Sequence, residues 1–238
     1  MANFFKGLVR ANSTNYGDLE GSMTGIKRGK MQMPICIEKG KCLAWAVGSD
    51  DVELSKAGTI SVFSGGSPDG PENLAWKAAE AFFRAAKRSG GARIRLTKRI
   101  PAQAGMAGGS ADAAAVLIGL NALYDARLSP EALRDAGLSV GADVPYCLIG
   151  GTARVQGIGE IVEPMPPFLS GYLVVAKPAI GISTAEAFRR FDRAENLRHP
   201  DIAALLSVME KGQLDALSLF METVLEQSEQ NETVETLR

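Results

Sequence analysis

A chain of 238 residues with 46% hydrophobic side chains can bury a sizeable core, as one large domain or two small ones. Its 26 basic and 27 acidic residues leave a formal net charge of −1, so no overall field draws it to nucleic acid or an anionic membrane, and an anionic ligand would need a local site. The longest apolar helical run, Ala113 to Leu120, is far shorter than the roughly 18 residues that read as a membrane span.

Three cysteines, Cys36, Cys42 and Cys147, and the single His199 lack metal-ligand spacing, which points to a reducing compartment and no structural zinc. The opening MANFFKGLVR has no apolar signal core, and Asp18 and Glu20 argue against a transit peptide. The expected location is cytoplasmic, with a small-molecule partner and neither nucleic acid nor membrane.

Residues 1 to 48 show no sustained period of two or 3.6 and carry no chemistry by pattern. The alternating segments Val52–Leu54 and Ile60–Phe63, around a turn at Ala57-Gly58, predict a β-hairpin. A helix of about four turns is expected next. Pro71 would stand at its first position, Leu74, Ala78, Phe82 and Ala85 on its apolar face, and Gly90-Gly91 at its stop. Trp76, Phe82 and Phe83 read as core. ARIRLTKRI alternates Ile94 and Leu96 with basic residues, so it predicts a strand with one wet, basic face.

That strand runs into IPAQAGMAGGSADAAAV, where bulk disappears, and Ala113, Val116, Leu120, Leu123 and Tyr124 then recur at helical spacing. A helix start offers unpaired N–H groups and the positive end of its dipole, and a loop stripped of side chains lets those donors close on phosphate oxygens. Gly105, Gly108 and Gly109 permit the backbone angles, Ser110 adds a hydroxyl, and Ala107 and Ala111 keep the wall low. The alternative use of such residues is close helix–strand packing. Neither Gly-x-x-x-x-Gly-Lys-Ser/Thr nor Gly-x-Gly-x-x-Gly is present.

Ser129-Pro130 should cap a further helix with Glu131 in its first turn, followed by a turn at Gly137. In GADVPYC, Asp143 stands at the edge of an apolar run. A carboxylate fixed there could take a proton from an attacking hydroxyl, or could simply cap the turn that follows.

Together, IPAQAGMAGGSADAAAVLIGLNALY, GADVPYCLIGGTARVQGIGE and PDGPENLAWKAA resemble the 4-diphosphocytidyl-2-C-methyl-D-erythritol kinases of the GHMP kinase superfamily, over roughly residues 50 to 226. The resemblance implies an α+β, two-lobed GHMP kinase fold. Its first lobe would be like ribosomal protein S5, its second a truncated ferredoxin-like lobe, with a divergent segment over 1–48, an ATP-binding lobe over 49–160 and a partial substrate lobe over 161–238. It implies ATP and Mg²⁺ as cofactors and transfer of the γ-phosphoryl group to the 2-hydroxyl of a diphosphocytidyl methylerythritol, in the non-mevalonate route to isoprenoid precursors.

Pro101, Ala102, Gln103, Ala104, Gly105, Met106, Ala107, Gly108, Gly109, Ser110 and Ala111 match the family's ATP loop, and Asn73 falls in its Asn-Leu motif at the nucleotide end of the site. Asp143 matches the catalytic aspartate. Thr184 and Phe188 fall where the family places a cytidine-pocket threonine and a stacking aromatic, though Phe188 also fits the core face of a helix from Ala185 to Phe191.

Two family features have no counterpart here: the Ala-Lys-Ile-Asn-Leu strand with the Asp-Gly-Tyr-His turn near the start, and the Gly-Ser-Gly-Pro motif near the end. The expectation is therefore a family member by descent that keeps its phosphate loop, whose ends would reflect truncation, a shifted frame or degeneration. The alternatives are a non-catalytic nucleotide-binding paralogue and a GHMP kinase acting on another small molecule.

Overall fold

The computed structural model describes residues 35–38, 41–45, 50–65, 68–100, 106–165, 184–194, 199–213, 216 and 218–220. These fall into two units, one made of the residues up to Met165 and one of those from Thr184 onward.

The first unit is built on a sheet in which β1 (Ile35–Glu38), β2 (Lys41–Trp45) and β3 (Asp51–Ala57) follow one another as antiparallel neighbours. The strand β5 (Gly91–Thr97) pairs antiparallel with β3, and β4 (Ser61–Ser64) lies parallel to β5 at the edge, giving the order β1-β2-β3-β5-β4. Alternation sets the faces. Ile94 and Leu96 stand opposite Leu54 and Val52, all four buried, while Arg93 and Arg95 point to water.

The expected hairpin is corrected here: β3 and β4 do not pair, because β5 lies between them. A parallel pair needs a crossover, and α1 (Leu74–Ala85) supplies it, making β4-α1-β5 one βαβ unit.

The start of α1 also differs from expectation. Asn73, not Pro71, sets it, since the Asn73 side chain accepts a hydrogen bond from Ala75 N at 2.9 Å and satisfies an otherwise unpaired donor. The inner face of α1 buries Ala75, Ala78, Ala79, Phe82 and Phe83. Trp76 is half-buried instead of core, and its buried Nε1 has no hydrogen-bond partner among the described residues. Phe82, Phe83 and Tyr124 form an aromatic cluster with ring centroids 5.2 to 5.9 Å apart, and the Tyr124 hydroxyl donates to Gly91 O at 2.6 Å.

Helix α2 (Gly108–Leu123) packs against β2 and β3 on one side and against α1 and later helices on the others. A helix covered on nearly every side needs small apolar residues all round, not an apolar stripe. That explains the alanine run: Ala111, Ala113, Ala114, Ala115 and Val116 are all fully buried.

Helix α3 (Pro130–Leu138) begins as expected, with Pro130 in its first turn and Ser129 Oγ accepting from Ala132 N at 3.2 Å. The turn expected at Gly137 is not there. Gly137 is a buried helical residue, where an added Cβ would lie 2.9 Å from Val144 Cγ1. The short helix α4 (Val144–Ile149) leads to the antiparallel pair β6 (Ala153–Gln156) and β7 (Ile161–Pro164).

In the second unit, α5 (Thr184–Phe191) and α6 (Ile202–Glu210) precede a single 3₁₀ turn, Ser218–Phe220. Asp201 caps α6 by accepting from Ala204 N, and Leu205, Val208, Met209, Ala216 and Phe220 form a small apolar cluster. Strands for a ferredoxin-like lobe are not among the described residues of this unit.

Candidate functional site

The first intrahelical bond of α2 runs from Ala111 N to Ala107 O at 2.9 Å, so the N–H groups of Gly108, Gly109 and Ser110 have no acceptor within the helix. Ala107 holds the N-cap position with φ 50, a left-handed conformation, and provides no side-chain cap. Four turns of aligned peptides therefore end in uncapped donors. Gly109 is exposed there, while Met106, Ala107 and Gly108 are half-buried and Ser110 is buried. Residues 101–105, the first part of the expected ATP loop, lie outside the described residues.

The two glycines also have a packing reason. An added Cβ on Gly108 would lie 2.9 Å from Ile100 Cγ2, and one on Gly109 would lie 3.2 Å from Leu74 Cδ1. The missing bulk seats α2 against Ile100 and Leu74, the packing use weighed from the sequence, and it leaves the outer side of Gly109 exposed.

Directly behind this helix start lies a charged cluster that the sequence reading missed. Lys98, at the end of β5, pairs with Asp50 and with Asp112, the latter at 2.5 Å, while Asp50 Oδ1 also accepts from Arg99 N at 2.5 Å and Ile100 N at 2.9 Å. Asp50 and Asp112 are buried, and the Lys98 side chain is only 14% exposed. Burial works against the Lys98 charge, but Asp112 and Asp50 outweigh it and hold its pKa above the ordinary value.

Asp112 bears the cost of sharing one cation with a second buried carboxylate. Burial pushes its carboxyl up to about 7, with Lys98 pulling it back and Asp50 pushing it further up. Its Oδ1 is buried without a hydrogen-bond partner among the described residues, which adds to the preference for the neutral form. Arg93 and Arg95 are the solvated basic face expected of this strand, but Lys98 is not part of it. A signal was available. Position 98 continues the inward phase of Ile94 and Leu96, so a lysine there calls for a buried counter-charge.

Asn73 lies at the start of α1, beside this same region, because its neighbour Leu74 packs on Gly109. Its amide is engaged internally: the oxygen caps Ala75 N and the NH₂ group donates to Pro68 O at 2.8 Å. Asp143 occupies the N-cap position of α4, is exposed, and makes no side-chain cap bond, so the reading of it as a turn cap is not what the geometry shows. One turn into α4, Cys147 is buried and its thiol is pushed up to about 12, first by burial and then by Asp143 and Asp112. Its thiol is therefore inert, and its response to both carboxylates places it within electrostatic reach of each.

Phe188 on α5 is half exposed, at 51%, so it is not a core residue among the described ones, while the side chain of Thr184 lies outside them. Among the described residues no group of three or more His, Cys, Asp or Glu could hold a metal ion, and no helix is long and apolar enough to cross a membrane.

Residues 73–151, from the cap of α1 through α2 to the end of α4, match the family described as GHMP kinases N terminal domain. Over 177 residues the chain is 44% identical to a 4-diphosphocytidyl-2-C-methyl-D-erythritol kinase of Carboxydothermus hydrogenoformans, covering 74% of this chain and 62% of that one. Over 178 residues it is likewise 44% identical to the protein of the same name from Clostridium perfringens, with the same coverage. This chain thus spans less than two thirds of the length of these relatives.

Among solved structures, a 4-(cytidine 5'-diphospho)-2C-methyl-D-erythritol kinase superposes with a TM-score of 0.52 at 30% identity, over 76% of this chain and 63% of that one. A homoserine kinase from Cytophaga hutchinsonii superposes with a TM-score of 0.52 at 18% identity, over 87% and 74%, and supports the fold alone. The chain has the α+β fold of the GHMP kinases, and residues 73–151 carry the segment that matches their N-terminal domain.

Proposed function

We propose that this chain is the nucleotide-binding and catalytic part of an ATP-dependent kinase that phosphorylates the 2-hydroxyl of 4-diphosphocytidyl-2-C-methyl-D-erythritol. The observation that carries the reading is the open, uncapped start of α2 at Gly109, in a segment that matches the GHMP kinase domain. The 44% identity to kinases of that name supports the substrate.

The triphosphate would lie against the N–H groups of Gly108, Gly109 and Ser110, where the helix dipole favours negative charge. Residues 101–105 would complete the loop, and the start of α1 at Asn73 and Leu74 would border its nucleotide end. Mg²⁺ would arrive on the triphosphate and neutralise part of its charge.

In the transfer itself, the acceptor oxygen forms a bond to the γ-phosphorus as the bond to the β,γ-bridging oxygen breaks, and ADP leaves. The hydroxyl proton passes to the Asp143 carboxylate, which is exposed and not consumed by capping. Such a transition state asks mainly for positioning and charge neutralisation. Thr184 and Phe188 would contact the cytidine end of the acceptor.

One observation favours a second reading, in which the chain binds nucleotide without transferring phosphate. Lys98 is committed to Asp50 and Asp112, and among the described residues no lysine pairs with Asp143. Purified protein given labelled ATP and the diphosphocytidyl substrate separates the two. Label in the acceptor supports the kinase; saturable ATP binding with no labelled product supports the binding module.

A further inference from the structure

The second motif of the sequence, GADVPYCLIGGTARVQGIGE, ends in a turn to which the function above gives no task. Gly157 to Glu160 joins β6 to β7, and three of its four residues are exposed, Ile158 at 74%. Gly159 is buried. What buries it is the backbone just before Asp143: a Cβ built on Gly159 would lie 2.0 Å from Ala142 O, 2.8 Å from Ala142 C and 3.2 Å from Ala142 Cα. No side chain fits there, and the neighbour is main chain, which cannot swing aside as a flexible side chain can. Gly159 also has φ +127, which L side chains rarely adopt.

The turn is held in shape by its own hydrogen bonds. The Glu160 carboxylate accepts from Ile158 N at 2.7 Å, and Gly159 N donates to Gln156 O at 3.2 Å. Among the described residues, Asp143 makes no side-chain cap bond at the start of α4. Its carboxylate is aimed by its backbone, and the backbone on its N-terminal side abuts Gly159.

From this geometry we propose that Gly159 is a positioning residue for Asp143: the β6–β7 turn is a backstop that fixes where the Ala142-Asp143 peptide lies, and so where the carboxylate meets the acceptor hydroxyl. This rests on the role given to Asp143 above. A residue that acts by placing a reacting group can matter as much as one that touches substrate, since misplacing such a group by about 1 Å costs up to about 100-fold in rate.

The test compares Gly159→Ala with Ile158→Ala in the full chain. Ile158 lies in the same turn and is 74% exposed, so truncating its side chain leaves the backbone of the turn and the Glu160 carboxylate in place. Gly159→Ala is expected to move the amide resonances of Ala142, Asp143 and Val144 and to lower kcat about 10- to 100-fold with KM for ATP within twofold. Ile158→Ala should leave those resonances and kcat within twofold of wild type. In an Asp143→Asn background the loss caused by Gly159→Ala should disappear, because its effect runs through that carboxylate.

An equal fold-loss in both backgrounds, or unmoved Asp143 resonances in Gly159→Ala, overturns the proposal. If Asp143→Asn alone keeps full turnover, it is the role of Asp143 that fails, and the resonances still decide whether Gly159 places it. Should Gly159→Ala not fold, Glu160→Ala loosens the same turn without a new Cβ, and unchanged Asp143 resonances in that variant overturn the proposal as well.

Discussion

Lys98 Nζ lies 2.5 Å from Asp112 Oδ2, and this bond ties the end of β5 to the second turn of α2 across the loop of residues 101–105. With Asp50 on its other side, Lys98 is one cation shared by two buried carboxyl groups. Removing one partner of a buried pair leaves uncompensated charge, which costs about 3–5 kcal/mol. Lys98→Met should lose that much in urea unfolding, and its nucleotide affinity should drop because both ends of the loop come free. A loss near zero would show that the cluster does not anchor the loop.

Asp112 gives the cluster a pH signature. Its carboxyl titrates near 3.8 when unfolded and near 7 in the folded chain, mainly because burial penalises the charge. Between those values the folded state holds a proton that the unfolded state has released. Its contribution to stability is therefore fully present below about pH 4 and is lost as the pH rises towards about 7. Asp112→Asn, neutral throughout, should flatten this part of the stability profile measured by chemical denaturation from pH 4 to 8. An unchanged slope would mean that Asp112 is charged in the folded chain over the whole range.

Phe82 is fully buried between Phe83 and Tyr124, which join α1 to α2 and, through the Tyr124 hydroxyl, to the start of β5. Phe82→Ala should cost about 3–5 kcal/mol, the usual range for an aromatic cavity in a core. Since this cluster lies away from the open side of Gly109, the variant should keep its nucleotide affinity at temperatures where it is folded. Differential scanning fluorimetry with and without MgATP measures both quantities.

Asp143→Asn keeps the shape of the side chain and removes its ability to take a proton. Turnover should fall about 10²–10⁴-fold with little change in ATP affinity. Steady-state kinetics with the diphosphocytidyl acceptor decides it, and full turnover would remove Asp143 from the reaction.

Local signals carried much of the helical part of this fold. Ser129-Pro130 marks the start of α3, and the repeat from Ala113 to Leu123 marks α2, because capping and burial act over a few residues. The strand pairing was not legible in the same way. Ala57-Gly58 looks like a hairpin turn, yet the strand that separates β3 from β4 begins at Gly91, and no nearby residue reports that insertion.

The site shows the same division. The small residues of the loop were visible as a motif, whereas Asp50, Lys98 and Asp112 meet only through the fold, the partners standing 48 and 14 positions apart. Gly159 was quoted within a motif, but its close approach to Ala142 depends on how β6 and β7 return against α4. Nothing local in GIGE states that contact.

The account depends most on the start of α2 as the seat of the triphosphate, and Gly109→Asp tests that seat selectively. A carboxylate in the first turn complements the helix dipole by about 0.3–1 kcal/mol, and the added Cβ asks only the end of the Leu74 side chain to yield slightly, so the fold should hold, while the same charge repels a bound anion. Titration calorimetry of the whole chain with MgATP should show saturable binding to wild type and at least tenfold weaker binding to a folded Gly109→Asp. Equal affinity in the two proteins, or no heat from wild type, would contradict the account.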